Sequence, residues 1–103
     1  MIAKTILQQM GGRRFATMTG SRNFVNLGNG LRMNLARNKT SANRLEIQLD
    51  EGTDTYRMRF YQMKVSKHFD VKITTIAEYD TVYCDMLEEI FTSVAGLTHG
   101  FNQ

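Results

Sequence analysis

Two hydrophobic rhythms divide the chain. From Ile2 to Met10 the apolar residues Ala3, Ile6, Leu7 and Met10 recur at helical spacing, and Gly11-Gly12 supplies the left-handed stop that closes a helix. Arg13 to Thr19 reads as a strand, with Phe15 on one side and Ala16 and Met18 on the other, ended by Thr19-Gly20-Ser21. Phe24 to Leu27 and Leu31 to Leu35 then flank Gly28-Asn29-Gly30, a hairpin signal because glycine and asparagine tolerate positive φ. Leu31, Met33 and Leu35 alternate with Arg32, Asn34 and Ala36, as a strand with one buried face requires.

The polar run from Arg37 to Asn43 is a loop, after which Leu45, Ile47 and Leu49 alternate with Glu46, Gln48 and Asp50. A turn over 50–54 precedes Tyr56, Met58 and Phe60, which alternate with Arg57, Arg59 and Tyr61. Near Tyr61 to Val65 the parity breaks, which predicts a bulge or a strand end, and Phe69, Val71 and Ile73 form the last strand. Asp80 has the chemistry of an N-cap for a closing helix whose stripe is Val82, Met86, Leu87, Ile90, Phe91 and Val94, with Gly96 as its stop and Asp85, Glu88 and Glu89 opposite. These elements predict an α+β fold: an antiparallel sheet of five or six strands in meander-like order, with an N-terminal and a C-terminal helix packed on one face and the other face wet. Met10, Met18, Met33, Met58 and Met86 fall at inward positions as core filling.

A chain of 103 residues fits one domain. It contains no apolar run long enough to span a membrane and no secretory signal, so a soluble, cytoplasmic protein is expected. Cys84, the single cysteine, sits in an apolar run and is expected to be buried.

Charge changes the picture more. Residues 1–44 hold eight lysines and arginines and no acid, whereas residues 45–103 hold five against ten acids. Such a dipolar chain suggests an acidic partner for its first half, unless the halves neutralise one another in the fold. Thr19-Gly20-Ser21-Arg22 could form a small anion-holding nest, but as a turn joining two strands it needs no ligand, and the turn is the favoured reading. The glycines form no dinucleotide or P-loop fingerprint, since Gly28-Asn29-Gly30 precedes a strand. His68, His99 and Cys84 have no metal-ligand spacing, and Asp50, Glu51 and Asp54 lack a calcium-loop pattern. Nothing pairs a nucleophile with a base, so no enzyme, metal or cofactor is expected.

The constellation with physical meaning is the outward face of the sheet, expected to carry Arg32, Asn34, Gln48, Arg57, Arg59, Tyr61 and Lys72, with Glu46 as an opposing charge. Guanidinium groups neutralise phosphates and Tyr61 could stack on an unpaired base. The candidate nucleic-acid contacts are therefore Arg13, Arg14, Arg22, Arg32, Arg37, Lys39, Arg44, Arg57, Arg59 and Tyr61. The plainer reading makes the same face a solvated surface with cross-strand charge pairs, and makes 56–61 an edge or near-edge strand protected by its arginines.

The segments ILQQMGGRRFATMTGSRNFV, LARNKTSANRLEIQL, DTYRMRFYQM and EYDTVYCDMLEEIFTSVAGL resemble a group of small uncharacterised proteins of bacteriophages, prophages and other mobile elements. The resemblance spans nearly the whole chain and brings no catalytic signature. It implies a small accessory protein that binds nucleic acid or blocks a host protein. In the second case the basic half or Asp85, Glu88 and Glu89 would meet a groove of opposite charge. An exposed strand edge would also allow a homodimer.

Overall fold

The first helix, α1 (Ile2–Met10), buries Ala3, Ile6 and Met10 along one stripe. Gly11 (φ 124°) and Gly12 (φ 64°) end it in conformations that side chains avoid. The chain then re-enters a helix where a strand was expected, for Arg13 to Thr19 belong to α2 (Gly12–Thr19). Phe15 and Thr19, four residues apart, are its two buried residues, and the Thr19 hydroxyl donates to the Phe15 carbonyl at 2.7 Å. Over seven residues the apolar pattern suits either period, and burial of an i, i+4 pair decides for the helix. Gly20 closes α2 in the left-handed conformation, its N–H donating to the Ala16 carbonyl. Met18 faces outward on this helix and is exposed, contrary to the inward placement expected of it.

The protein, described over residues 2–96 in this computed structural model, continues with β1 (Arg22–Asn26), β2 (Gly30–Asn34), β3 (Arg44–Asp50), β4 (Thr55–Val65) and β5 (Val71–Val82). A 3₁₀ turn (Cys84–Met86) and α3 (Leu87–Ala95) complete it. The strands form one antiparallel meander in the order β1-β2-β3-β4-β5, so the expected fold class holds. The hairpin at Gly28-Asn29-Gly30 joins β1 to β2, with Gly28 at φ 86°. β4 lies one strand in from the β5 edge.

Strand alternation sends Leu31, Met33, Leu45, Ile47, Met58 and Phe60 to one face, where they meet Ile6, Met10, Phe15, Leu87 and Phe91 of the helices in a single core. Full burial of such a side chain stabilises the fold by about 1.5–3 kcal/mol. Phe91 sits at the centre, its ring 4.8 Å from that of Phe15 and 6.3 Å from that of Phe60.

Two irregularities shape β5. Phe60 faces Ala77 while Tyr61 faces Thr75, and Tyr56 faces Val82 while Met58 faces Tyr79, so β5 carries an extra residue at each place. The parity change over 61–65 predicted a bulge or strand end in β4, but β4 runs unbroken to Val65; the extra residue, Ile76, lies in β5 opposite Phe60 and Tyr61, and it lets Ile76 and Ala77 both pack on the core. The second contains Thr81 at φ 54°. Asp80 consequently lies in the strand and caps no helix; its carboxylate accepts from Arg57 Nε at 2.8 Å. α3 has no side-chain cap and instead carries Glu88 and Glu89 in its first turn, where carboxylates favour the helix dipole. Val82 and Leu87 turn inward around the 3₁₀ turn, leaving Cys84 exposed where a buried thiol was expected.

Candidate nucleic-acid interface

The helices occupy one face of the sheet, and the register sorts the charges of the other into rows. In the first, Arg22 faces Asn34, Asn34 faces Arg44 and Arg44 faces Tyr61. Two arginines thus stand two strands apart with no acid between them. In the second row Arg32 faces Glu46, Glu46 faces Arg59 and Arg59 faces Glu78, an alternation of sign that cross-strand pairing favours. In the third, Gln48 faces Arg57, which is held by Asp80 at 2.8 Å. Among the described residues neither Arg22 nor Arg32 is held by a side-chain hydrogen bond or an ion pair.

Tyr61 is placed on this face as expected, but it is only 4% exposed. Its hydroxyl donates to Glu46 Oε2 at 2.9 Å and the Arg59 guanidinium lies over its ring, 4.9 Å from the centroid. Arg59 is in turn fixed by Nε and Nη2 donating to Thr75 Oγ1 at 3.1 and 3.0 Å. Burial first, and the hydrogen bond to Glu46 second, push the Tyr61 phenol above its ordinary pKa. The residue is therefore a neutral pivot that orients Arg59 and Glu46, and its ring is not an open stacking surface.

The other basic residues do not all join this face. Arg13 and Arg14 are exposed on α2, in the helical layer. Lys39 is held near the end of α3, where its N–H donates to the Ala95 carbonyl and a Cβ on Gly96 would come within 2.9 Å of its Cδ. A cation there complements the helix C-terminus. Arg37 is exposed on the same loop. The open face thus unites Arg22, Arg32 and Arg44 of the first half with Arg57 and Arg59 of the second. Lys72, expected on this face, is turned away from it: it pairs with Lys64, and both share the parity of Gln62 and Thr74 on the helix side.

The sequence reading missed an arm. β3 begins at Arg44, opposite Tyr61, so beyond that point β5 is the one strand paired with β4 among the described residues. Asn43 braces its root, its carboxamide accepting from Met63 N–H at 2.9 Å and donating to the Met63 carbonyl at 3.0 Å. On the open-face side of the arm Met63 faces Ile73 and Val65 faces Val71. Val65, Val71 and Ile73 are at least half exposed, and Phe69, expected in a strand, is 84% exposed in the loop at the tip. Apolar alternation predicted this strand; its exposure follows from where β3 starts, which no local pattern encodes.

At the far end of the sheet an open cleft of about 480 Å³ is lined by polar residues that include Asp50, Glu51, Arg57, Asp80 and Thr81. A second, of about 390 Å³, lies beside Tyr56, whose hydroxyl donates to Gln9 Oε1. Among the described residues no histidine or cysteine lines either. His68 is exposed in the arm loop, and His99 lies outside the described residues. Among the described residues no three His, Cys, Asp or Glu side chains are grouped to hold a metal ion, and no helix is long and apolar enough to cross a membrane. No family model, curated protein or solved structure matches the chain.

Proposed function

We propose that the protein is a non-enzymatic accessory protein, of the kind that phages and mobile elements encode, which binds nucleic acid in the cytoplasm through the open face of its sheet. The observation that carries this reading is the set of five arginines, Arg22, Arg32, Arg44, Arg57 and Arg59, side by side on four adjacent strands that the helices leave uncovered. Strand pairing fixes their spacing before any ligand arrives, and guanidinium groups so held are suited to phosphodiester oxygens. Glu46, Glu78 and Asp80 break the positive field into discrete points, which suits a ladder of separate phosphates better than a uniformly charged surface.

The test is a salt titration of binding to labelled duplex and single-stranded DNA and RNA. Affinity should fall steeply with salt, and each of Arg22→Ala, Arg32→Ala and Arg44→Ala should lower the slope by about one unit. Arg13→Ala should leave it unchanged, since that side chain lies in the helical layer. No retention at low salt, or a larger loss from Arg13→Ala than from the open-face changes, would overturn the reading.

A further inference from the structure

The arm ends in a three-residue loop, Lys67-His68-Phe69. Ser66 N–H donates to the Asp70 carbonyl and Phe69 N–H to the Ser66 carbonyl, both at 2.9 Å, while Ser66 Oγ accepts from His68 N–H and Asp70 N–H. In a loop of this length the last residue adopts the left-handed conformation, a position that glycine fills without strain. Here it is Phe69, at φ 65°. An aromatic side chain in that conformation is a cost to the fold, and with 84% of its surface in solvent Phe69 recovers little of it by burial.

A second local cost lies on the shaft. Lys64 and Lys72 are direct cross-strand partners, an arrangement of like charges that destabilises a sheet. With Lys67 they make three cations between residues 62 and 75, against the single acid Asp70. A polyanion removes their repulsion. Cations also flank the arm on both sides, Lys64 and Lys72 on the helix side and Arg44 and Arg59 at its root on the open side. A flat bilayer would meet one side of such a ribbon, whereas the two walls of a nucleic-acid groove meet both. A two-stranded ribbon fits a major groove, and apolar wedges at minor-groove sites unstack base steps.

We propose that the β4–β5 arm enters a groove of duplex nucleic acid, where Lys64, Lys67 and Lys72 hold phosphates and Phe69 wedges into a base step. The proposal rests on the nucleic-acid reading above and adds to it the substrate class, a duplex that can be unstacked. Asn43 keeps the root of the arm rigid, so the wedge is presented by the sheet and not by a loose loop.

The experiment uses the full chain and a short duplex carrying a fluorescent adenine analogue at its TA steps, with binding followed in parallel by anisotropy. Wild type should bind and raise the analogue's fluorescence as the base unstacks. Phe69→Gly relieves the backbone, so its melting temperature should equal or exceed that of wild type. It should nonetheless lose the fluorescence rise and about tenfold in affinity. Phe69→Trp should retain both, and Lys64→Ala should weaken binding in a salt-dependent way while leaving the rise intact at saturation. Wild-type binding without a fluorescence rise, or a full rise with Phe69→Gly, overturns the wedge and leaves the open-face reading standing. Absence of any binding removes both. Sedimentation of wild type, but not Phe69→Gly, with phosphatidylserine vesicles would assign the arm to a lipid surface and overturn the proposal.

Discussion

Gly30 opens β2 opposite Gln48, and the close approach of β3 leaves no room there for a side chain. A Cβ would lie 2.1 Å from the Ile47 carbonyl oxygen, 2.9 Å from Gln48 Cα and 3.0 Å from the Ile47 carbonyl carbon. All three are backbone atoms of a paired strand, so relief requires β2 and β3 to part by about 1 Å at the hairpin end. Such a shift breaks or stretches the bond from Leu49 N–H to the Asn29 carbonyl at 2.8 Å and the ladder bonding of the adjacent Leu31–Ile47 pair. Those contribute about 1 kcal/mol each, and forcing a methyl into a packed site costs about 1–3 kcal/mol. The stiffer unfolded chain offsets about 0.4–1 kcal/mol. Gly30→Ala should therefore destabilise by about 2–4 kcal/mol, which lowers the melting temperature by about 10–25 °C in a domain of this size. Urea unfolding followed by circular dichroism measures it. Gly28→Ala is the control: its Cβ would meet nothing within 4 Å, so only the positive φ of 86° opposes it, a cost of about 1–2 kcal/mol. If Gly30→Ala costs no more than Gly28→Ala, the close approach of the strands is not what selects glycine at position 30.

Phe91→Ala should cost about 3–5 kcal/mol in urea unfolding, since it empties the centre of the core between Phe15 and Phe60. Asp80→Asn should change stability by less than about 1 kcal/mol, because its pair with Arg57 is largely exposed. Tyr61 holds its proton more tightly folded than unfolded, so its contribution is complete below about pH 10 and is lost as the pH rises through the folded pKa. Tyr61→Phe should thus flatten the alkaline loss of stability seen by thermal melts between pH 9 and 11, while lowering stability at neutral pH by about 1 kcal/mol for the lost bond to Glu46.

What the sequence revealed, and what it hid, follows the range of the forces involved. Alternation in Leu31-Met33-Leu35, Leu45-Ile47 and Tyr56-Met58-Phe60 reports a period of two that burial enforces, and the Gly28-Asn29-Gly30 turn reports local φ preferences. Arg13 to Thr19 satisfies two periods, and burial of Phe15 and Thr19, four residues apart, chooses the helix. Asp80 mimics a cap because a bulge beside it disguises the last strand. The basic character of residues 1–44 was plain. Its division between α2 and the open face was not, since which layer a strand or helix faces is a tertiary outcome.

Four residues other than glycine have positive φ among those described: Asn23, Asp54, Phe69 and Thr81. Asn23 and Asp54 are of the types that tolerate it, the first at the irregularity in β1 and the second in the β3–β4 turn, where its N–H donates to the Asp50 carbonyl. Thr81 is compensated inside the molecule, for its bulge turns Val82 back onto the core opposite Tyr56 and keeps Tyr79 opposite Met58, edge-on to Phe60. Phe69 has neither excuse: its type is wrong for the conformation and its side chain enters no core. A sequence that satisfies its local rules elsewhere breaks them in the arm twice, at Phe69 and at the Lys64 and Lys72 pair. One kind of surface would offset both costs, one with anions for the lysines and an apolar slot for the ring. The stacked bases and phosphates of a duplex supply the two together.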